Sequence, residues 1–268
     1  MRVSIVTISF NQSEFLERAI RSVIEQKYDD IEYIIVDPGS QDGSRNIIDG
    51  YRSRIARTLY EPDKGPADGL NKGFAMATGE IYGFLNSDDV LYPGAIERVV
   101  CYFKNHPEAD VVSGHAVIID EYDKPIRKVY SDKFSLIKYA YGSSVLAQQS
   151  TFFRANVFKQ TNGFNILNRA AWDGELFVDM CANGAQFDLV DEFWSGFRLH
   201  TGSITSSKKL DNAIKQYRKE AFKEIIGRDE KSRDIFLKVA FRLIKHVRNP
   251  KGLYERLSKG KIYGRTAK

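Results

Sequence analysis

The sequence predicts an α/β protein: a mostly parallel, twisted sheet with helices on both faces, followed by a helical C-terminal extension. Three observations carry that expectation. In the first hundred residues, short β-branched runs alternate with stretches whose apolar residues recur at helical spacing. Carboxylates and turn residues cluster at the ends of the apolar runs, where ligands bind on parallel sheets. From about residue 207 the chain becomes basic and helical in pattern.

The elements follow in order. RVSIVTIS (2–9) is a β-branched strand, and residues 13–26 carry Phe15, Leu16, Ala19, Ile20, Val23 and Ile24 at helical spacing, with Ser13 placed as N-cap. IEYIIVD (31–37) is a second buried strand, PGSQDGS (38–44) a turn, and a helix runs to about Arg54. Strands at 57–62 and 80–86 and helices at 66–77 and 93–104 continue the alternation. ADVVSG (109–114) reads as a strand and 115–130 as a hairpin turning at Asp123-Lys124-Pro125. Residues 133–198 mix short elements. Within 235–247, Phe236, Val239, Ala240, Leu243 and Val247 share one helical face. These patterns divide the chain into a domain at 1–205 and a basic helical extension at 206–268.

Composition bounds the function. With 268 residues, 43% hydrophobic and 28% charged, there is room for a large core. Two cysteines make no disulfide framework and read as a reducing, cytoplasmic compartment. The N-terminus has no signal-peptide pattern, and no run of about 18 apolar residues spans a membrane. Charge is unevenly placed: residues 208–268 hold 19 Lys/Arg and 7 Asp/Glu, whereas the rest holds 21 and 28. A basic tail on a mildly acidic body points to an anionic partner surface. Nucleic acid is disfavoured, because carboxylates at strand ends repel phosphate unless a metal is present.

Four clusters could carry chemistry. Asn86-Ser87-Asp88-Asp89 ends a strand; adjacent carboxylates suit a divalent cation held with substrate phosphates, or cap the helix after Pro93. Asp37 ends the second strand, as an Asx-turn residue or as an acceptor for a nucleobase or ribose, with Asp42 in a turn or capping role. Asp68 and Lys72 share a helical face, as a surface pair or as contacts to nucleoside and phosphate. In AAWDGELF, Asp173 and Glu175 lie beside Trp172; partial burial suits a general base, and a helix cap is the plainer reading. His200 is either a structural histidine or a further ligand. No dinucleotide fingerprint or Walker sequence is present.

Taken together, VSIVTISFN, IIVDPGSQDGS, DKGPADGLNKGFAMATGEIYGFLNSDD, AQQSTFFRANVFKQTNGF and WDGEL resemble, in that order over residues 2–202, the family 2 glycosyltransferases of bacterial polysaccharide type, with the Rossmann-like GT-A fold. The resemblance implies an inverting, metal-assisted transfer from a nucleotide-diphosphate sugar, UDP-linked on family grounds, to a hydroxyl of a glycan or lipid-linked acceptor. It assigns Asp173 as base. Donor contacts fall on Ile8, Ser9, Asp37, Asp68, Lys72, Asn86 and Asp88. Mn²⁺ or Mg²⁺ falls to Asp88, Asp89 and His200. The acceptor side takes Gln149, Trp172 and Glu175. The chain departs from the family where Asn86 replaces the first acid of the Asp-x-Asp pattern and Pro38 the second acid of the turn. An inactive sugar-nucleotide or glycan-binding relative, or a nucleotidyltransferase, is the alternative. The basic extension reads as lying peripherally on the inner membrane face, or as a helical hairpin packed on the core or forming a homodimer.

Overall fold

A computed structural model describes residues 1–202 and 210–260. The expected boundary at 205/206 lies outside the described residues. The chain runs β1 (Val3–Ile8), α1 (Ser13–Ile24), β2 (Ile31–Val36), α2 (Ser44–Gly50), β3 (Arg57–Leu59), α3 (Pro66–Met76), β4 (Ile81–Asn86), β5 (Val90–Leu91) and α4 (Ala95–Asn105). It continues through β6 (Val111–Ile119), β7 (Pro125–Val129), α5 (Leu136–Ala140), β8 (Thr151–Arg154), α6 (Ala155–Lys159), α7 (Trp172–Ala182) and β9 (Phe187–Arg198). Helices α8 (Asp211–Ile226), α9 (Asp234–Arg248) and α10 (Pro250–Lys259) close it.

The strands form one sheet in the order β3-β2-β1-β4-β8-β6-β9-β5, with β7 added beside β6. Strands β3, β2, β1 and β4 are parallel. β8 enters antiparallel between β4 and β6, and β6 pairs β9 in parallel. Alternation along each strand splits the core in two. Ile5, Tyr33, Ile35 and Leu85 face α1 and α4, packing with Leu16, Ile20, Val99 and Phe103. Val6, Ile34, Val36, Tyr82 and Phe84 face the other way, onto Leu70 and Phe74 of α3 and Leu176 and Phe177 of α7.

Several boundaries differ from those expected. The 109–114 strand and the first arm of the hairpin are one strand, β6. Gly114 reads as a strand end but is a close approach: a Cβ there would meet the Trp194 ring at 2.6 Å. The 57–62 strand stops at Leu59, and the helix expected to reach Arg54 ends at Gly50 before a 3-10 turn at Arg52–Arg54. The helix expected from residue 93 begins at Ala95, because Val90 and Leu91 pair with Gly196 and Ser195 of β9. Ser13 is not the N-cap of α1. Gln12 holds that place, and Asp42 accepts the Ser13 N–H at 2.8 Å from the neighbouring turn.

Helix α3 lies unusually close to the sheet. A Cβ on Gly73 would collide with Val6 Cγ1, and one on Gly69 would come within 3.2 Å of Ile8 Cγ2. Gly73→Ala should therefore lower stability by about 1–3 kcal/mol through overpacking. Gly50, with open space around it, is the control: Gly50→Ala should leave the urea midpoint unchanged or raised.

Candidate active site

The parallel register brings the candidate residues to one edge. Ile8 lies level with Val36 on one side and Asn86 on the other, so Ser9, Asp37 and Ser87 leave the sheet side by side. Two buried polar atoms at this edge have no partner among the described residues: Ser9 Oγ and Asp37 Oδ2. The other Asp37 oxygen is saturated. Oδ1 accepts from Gly39 N (3.0 Å), Ser40 N (2.8 Å) and Arg45 Nε (3.0 Å). Arg45 lies over the Tyr60 ring, 4.6 Å from its centroid. Phe10, next along the chain, is 60% exposed.

Asp68 and Lys72 form the surface pair their spacing suggests, at 3.8 Å, and each also bonds to backbone. Asp68 accepts the Lys64 N–H at 2.9 Å, and Lys72 donates to the Pro62 carbonyl at 2.5 Å, so both brace the turn into α3. Asp63 is the carboxylate that approaches the edge. Its Oδ2 would lie 2.9 Å from a Cβ on Gly69, beside Ile8, and burial raises its carboxyl above the usual range. Sequence reading passed over it in favour of Asp68.

The two adjacent aspartates separate. Asp89 is buried; its Oδ1 accepts the Arg198 backbone N–H at 2.9 Å, and its Oδ2 receives Asn86 Nδ2 at 3.4 Å. Burial, and then the neighbouring Asp88 charge, push the Asp89 carboxyl well above its ordinary value. It points into the protein rather than toward a ligand. Asp88 instead meets His200: Nε2 lies 3.1 Å from Asp88 Oδ2. Because His200 Nδ1 accepts from Gly202 N (3.2 Å), Nε2 carries the proton donated to Asp88. The Phe15 ring packs on the imidazole at 4.5 Å.

Arg198 carries no local sequence signal, yet it holds the site together. Its side chain is 0% exposed. Nε donates to the Asp88 carbonyl (2.7 Å), Nη1 to the Asp120 carbonyl (2.8 Å) and Nη2 to Asp123 Oδ1 (2.5 Å). Arg18 grips the same turn through Glu121 O and Asp123 Oδ2. Asp123 holds a left-handed backbone (φ 66°) within this turn.

Asp173 sits in the first turn of α7 but does not cap it; Ala171 is the N-cap. Its Oδ1 accepts the Gly174 N–H at 2.8 Å, and burial raises its carboxyl above the usual range. Trp172 packs on Phe84 (5.7 Å) and Phe164 (5.5 Å), which fixes the start of α7 against the end of β4. Glu175 accepts from Asn165 (2.8 Å) and Asn168 (2.5 Å), holding the loop before α7. Gln149 is buried in a 3-10 turn whose neighbour Gln148 donates to the Phe84 carbonyl at 2.8 Å.

Solved structures share this architecture. TarS of S. aureus, in complex with UDP-GlcNAc, superposes with a TM-score of 0.69 at 17% identity, over 97% of this chain and 74% of that one. The mannosyltransferase PcManGT of Pyrobaculum calidifontis, in complex with GDP-Man and Mn²⁺, gives 0.64 at 17%, over 96% and 73%. The fold is thus GT-A, that of nucleotide-sugar-dependent glycosyltransferases. Residues 4–170 match the model of Glycosyl transferase family 2. The chain belongs to that family. An uncharacterized glycosyltransferase of Nostoc is 37% identical over 47% of this chain and 40% of its own length. One of Mycobacterium tuberculosis is 31% identical over 66% and 67%. The chain therefore spans well under half of the first of these relatives.

Arg198→Ala should cost about 2 kcal/mol in unfolding free energy, because it orphans the Asp88 carbonyl and takes a buried cation away from the Asp120 carbonyl and from half-exposed Asp123. Arg198→Lys should recover only part of it, since one ammonium cannot serve three diverging acceptors. Urea unfolding of both variants checks this.

Proposed function

We propose that the chain transfers a sugar, with inversion, from a UDP-linked donor to a hydroxyl of a glycan or lipid-linked acceptor, with Asp173 as the general base. The observation that carries the donor reading is the pair of orphaned buried atoms, Ser9 Oγ and Asp37 Oδ2, at the ends of β1 and β2. Buried polar groups without partners are rare and call for a ligand. One unsaturated carboxylate oxygen matches the single ring N–H of uracil better than the adjacent donors of guanine, and the Ser9 hydroxyl suits a flanking carbonyl. Phe10 offers a face for the base, and Asp63 a carboxylate for ribose hydroxyls.

Asp88 supplies one carboxylate, and His200 could add its imidazole only by giving up the Nε2 proton that it donates to Asp88. No group of three or more His, Cys, Asp or Glu side chains among the described residues is disposed to hold a metal. A cation would thus take its remaining ligands from the donor diphosphate and water, as Mg²⁺ and Mn²⁺ sites commonly do; the imidazole favours Mn²⁺. When bound, it would neutralise charge on the departing nucleoside diphosphate. The chain's own residues do the rest. Trp172, locked on Phe84, holds Asp173 at the sheet edge. The raised carboxyl takes the proton of the acceptor hydroxyl as that oxygen attacks from the face opposite the diphosphate. One base and one displacement give inversion; no step calls for a carboxylate nucleophile.

Thermal unfolding with UDP, GDP, CDP and ADP, each with and without Mn²⁺, tests the donor site. UDP at about 100 times its dissociation constant should stabilise the fold by roughly 2.7 kcal/mol. The Mn²⁺-dependent part should vanish in Asp88→Ala. No shift with any nucleotide would reject the reading. Asp173→Asn should retain the UDP shift and lose about 10²–10⁴-fold in turnover, followed as UDP release from a panel of UDP-sugars. Because the base must be deprotonated and its pKa is raised, the acid limb of kcat/KM should lie above the usual carboxylate range near 4 and be absent from the variant's residual activity.

A further inference from the structure

Helix α9 packs on the body with its polar side. Asp234, at its start, is buried and held bidentately by Arg228 at 2.7 and 2.8 Å. Lys245 pairs with Asp132 at 2.9 Å, and Phe241 stacks on Tyr141 at 5.2 Å. These inward residues lie opposite the apolar stripe, which is left uncovered. Phe236 is 76% exposed and Val247 81%, with Val239 and Leu243 between them. Tyr254 and Leu257 extend the exposed apolar surface onto α10, which Asn249 caps and which is tied to β7 through Lys128 N–Glu255 at 3.2 Å and Arg127–Gly260 O at 2.9 Å.

An outward stripe of this size on a folded chain marks an interaction surface. Charge decides its partner. The two helices carry seven Lys/Arg against two Asp/Glu. Arg242, Arg248, Arg256 and Lys259 have no ion-pair partner among the described residues, and Arg242 and Arg248 flank the stripe by helical position. Two copies meeting through this face would bring like charges together. No helix among the described residues is long and apolar enough to cross a membrane. We infer that α9 and α10 form a docking surface for an anionic lipid bilayer, with the stripe among the acyl chains and the arginines among the headgroups. The inference is independent of the donor reading and accounts for access to a lipid-linked acceptor.

The test is sedimentation of the full chain with phosphatidylcholine vesicles, with and without phosphatidylglycerol. Binding is expected only to the anionic vesicles, falling with added salt. Arg242→Ala with Arg248→Ala should weaken it about 25-fold, at about fivefold per cation near the surface. Phe236→Ser with Val247→Ser should abolish it. Both substitution pairs lie at exposed positions, and an unchanged UDP-induced thermal shift shows that the variants are folded and the donor site intact. Equal binding to neutral vesicles, no binding to either, or a dimer in sedimentation equilibrium that Phe236→Ser disperses would each overturn the proposal.

Discussion

The guanidinium of Arg198 is the fixed point around which the candidate site is built. It ends β9, a strand paired along its length with β6, and its three donors run to the Asp88 carbonyl, the Asp120 carbonyl and Asp123. A rigid sheet strand thereby reaches across to the loop after β4 and to the β6–β7 turn. Its backbone N–H adds a fourth hold, on Asp89. Two residues further on, the chain supplies His200 to Asp88. A buried charge with each of its three nitrogens bonded is costly to form but admits few alternative arrangements. The loop after β4 therefore has a defined geometry without any ligand.

This also resolves why two carboxylates stand side by side. Asp88 and Asp89 are not equivalent. Asp89 is buried and bonded to the Arg198 backbone, and burial pushes its carboxyl above its ordinary value. Asp88 is the one of the two that meets His200. Across the sheet edge an apolar ledge does for Asp173 what Arg198 does for Asp88. Phe74, Phe84, Phe164 and Trp172 pack edge and face from α3 through β4 to α7. Asp88 and Asp173 are set by different physics, one by hydrogen bonds and one by packing, but both refer back to β4.

The fold was legible because the buried parallel strands read as nearly continuous apolar runs, and the family because five motifs occur in one order. The second half was less so. β9 carries Asp188, Asp191 and Glu192 among its apolar residues, which hides a central strand, and Gly114 reads as a break though it makes room for Trp194. Within the site, spacing gave the Asp68–Lys72 pair but not its setting: both residues also brace the turn into α3, and Glu175 holds its own loop. Arg198 was invisible because its contacts lie 75 to 110 positions away, and Asp63 because its place depends on the close approach of α3; Arg45 reaches back eight positions to Asp37 across a turn whose path leaves no periodic pattern.

Helix α9 is where local pattern and fold disagree most. A surface helix ordinarily turns its apolar stripe to the core. Here Asp234, Phe241 and Lys245 face inward and the stripe faces out. Pairing Lys245 with Asp132 and Arg228 with Asp234 in partly buried positions contributes little net stability compared with burying leucine, valine and phenylalanine in their place. The sequence could have reached a more stable isolated chain simply by rotating the helix. The ion pairs instead act as specificity devices: turning α9 by half a revolution would strand Asp132 and Asp234 without partners and place Lys245 in solvent. The apolar stripe is thus held outward by charges that would be unsatisfied in the alternative packing. Among the described residues, nothing covers it.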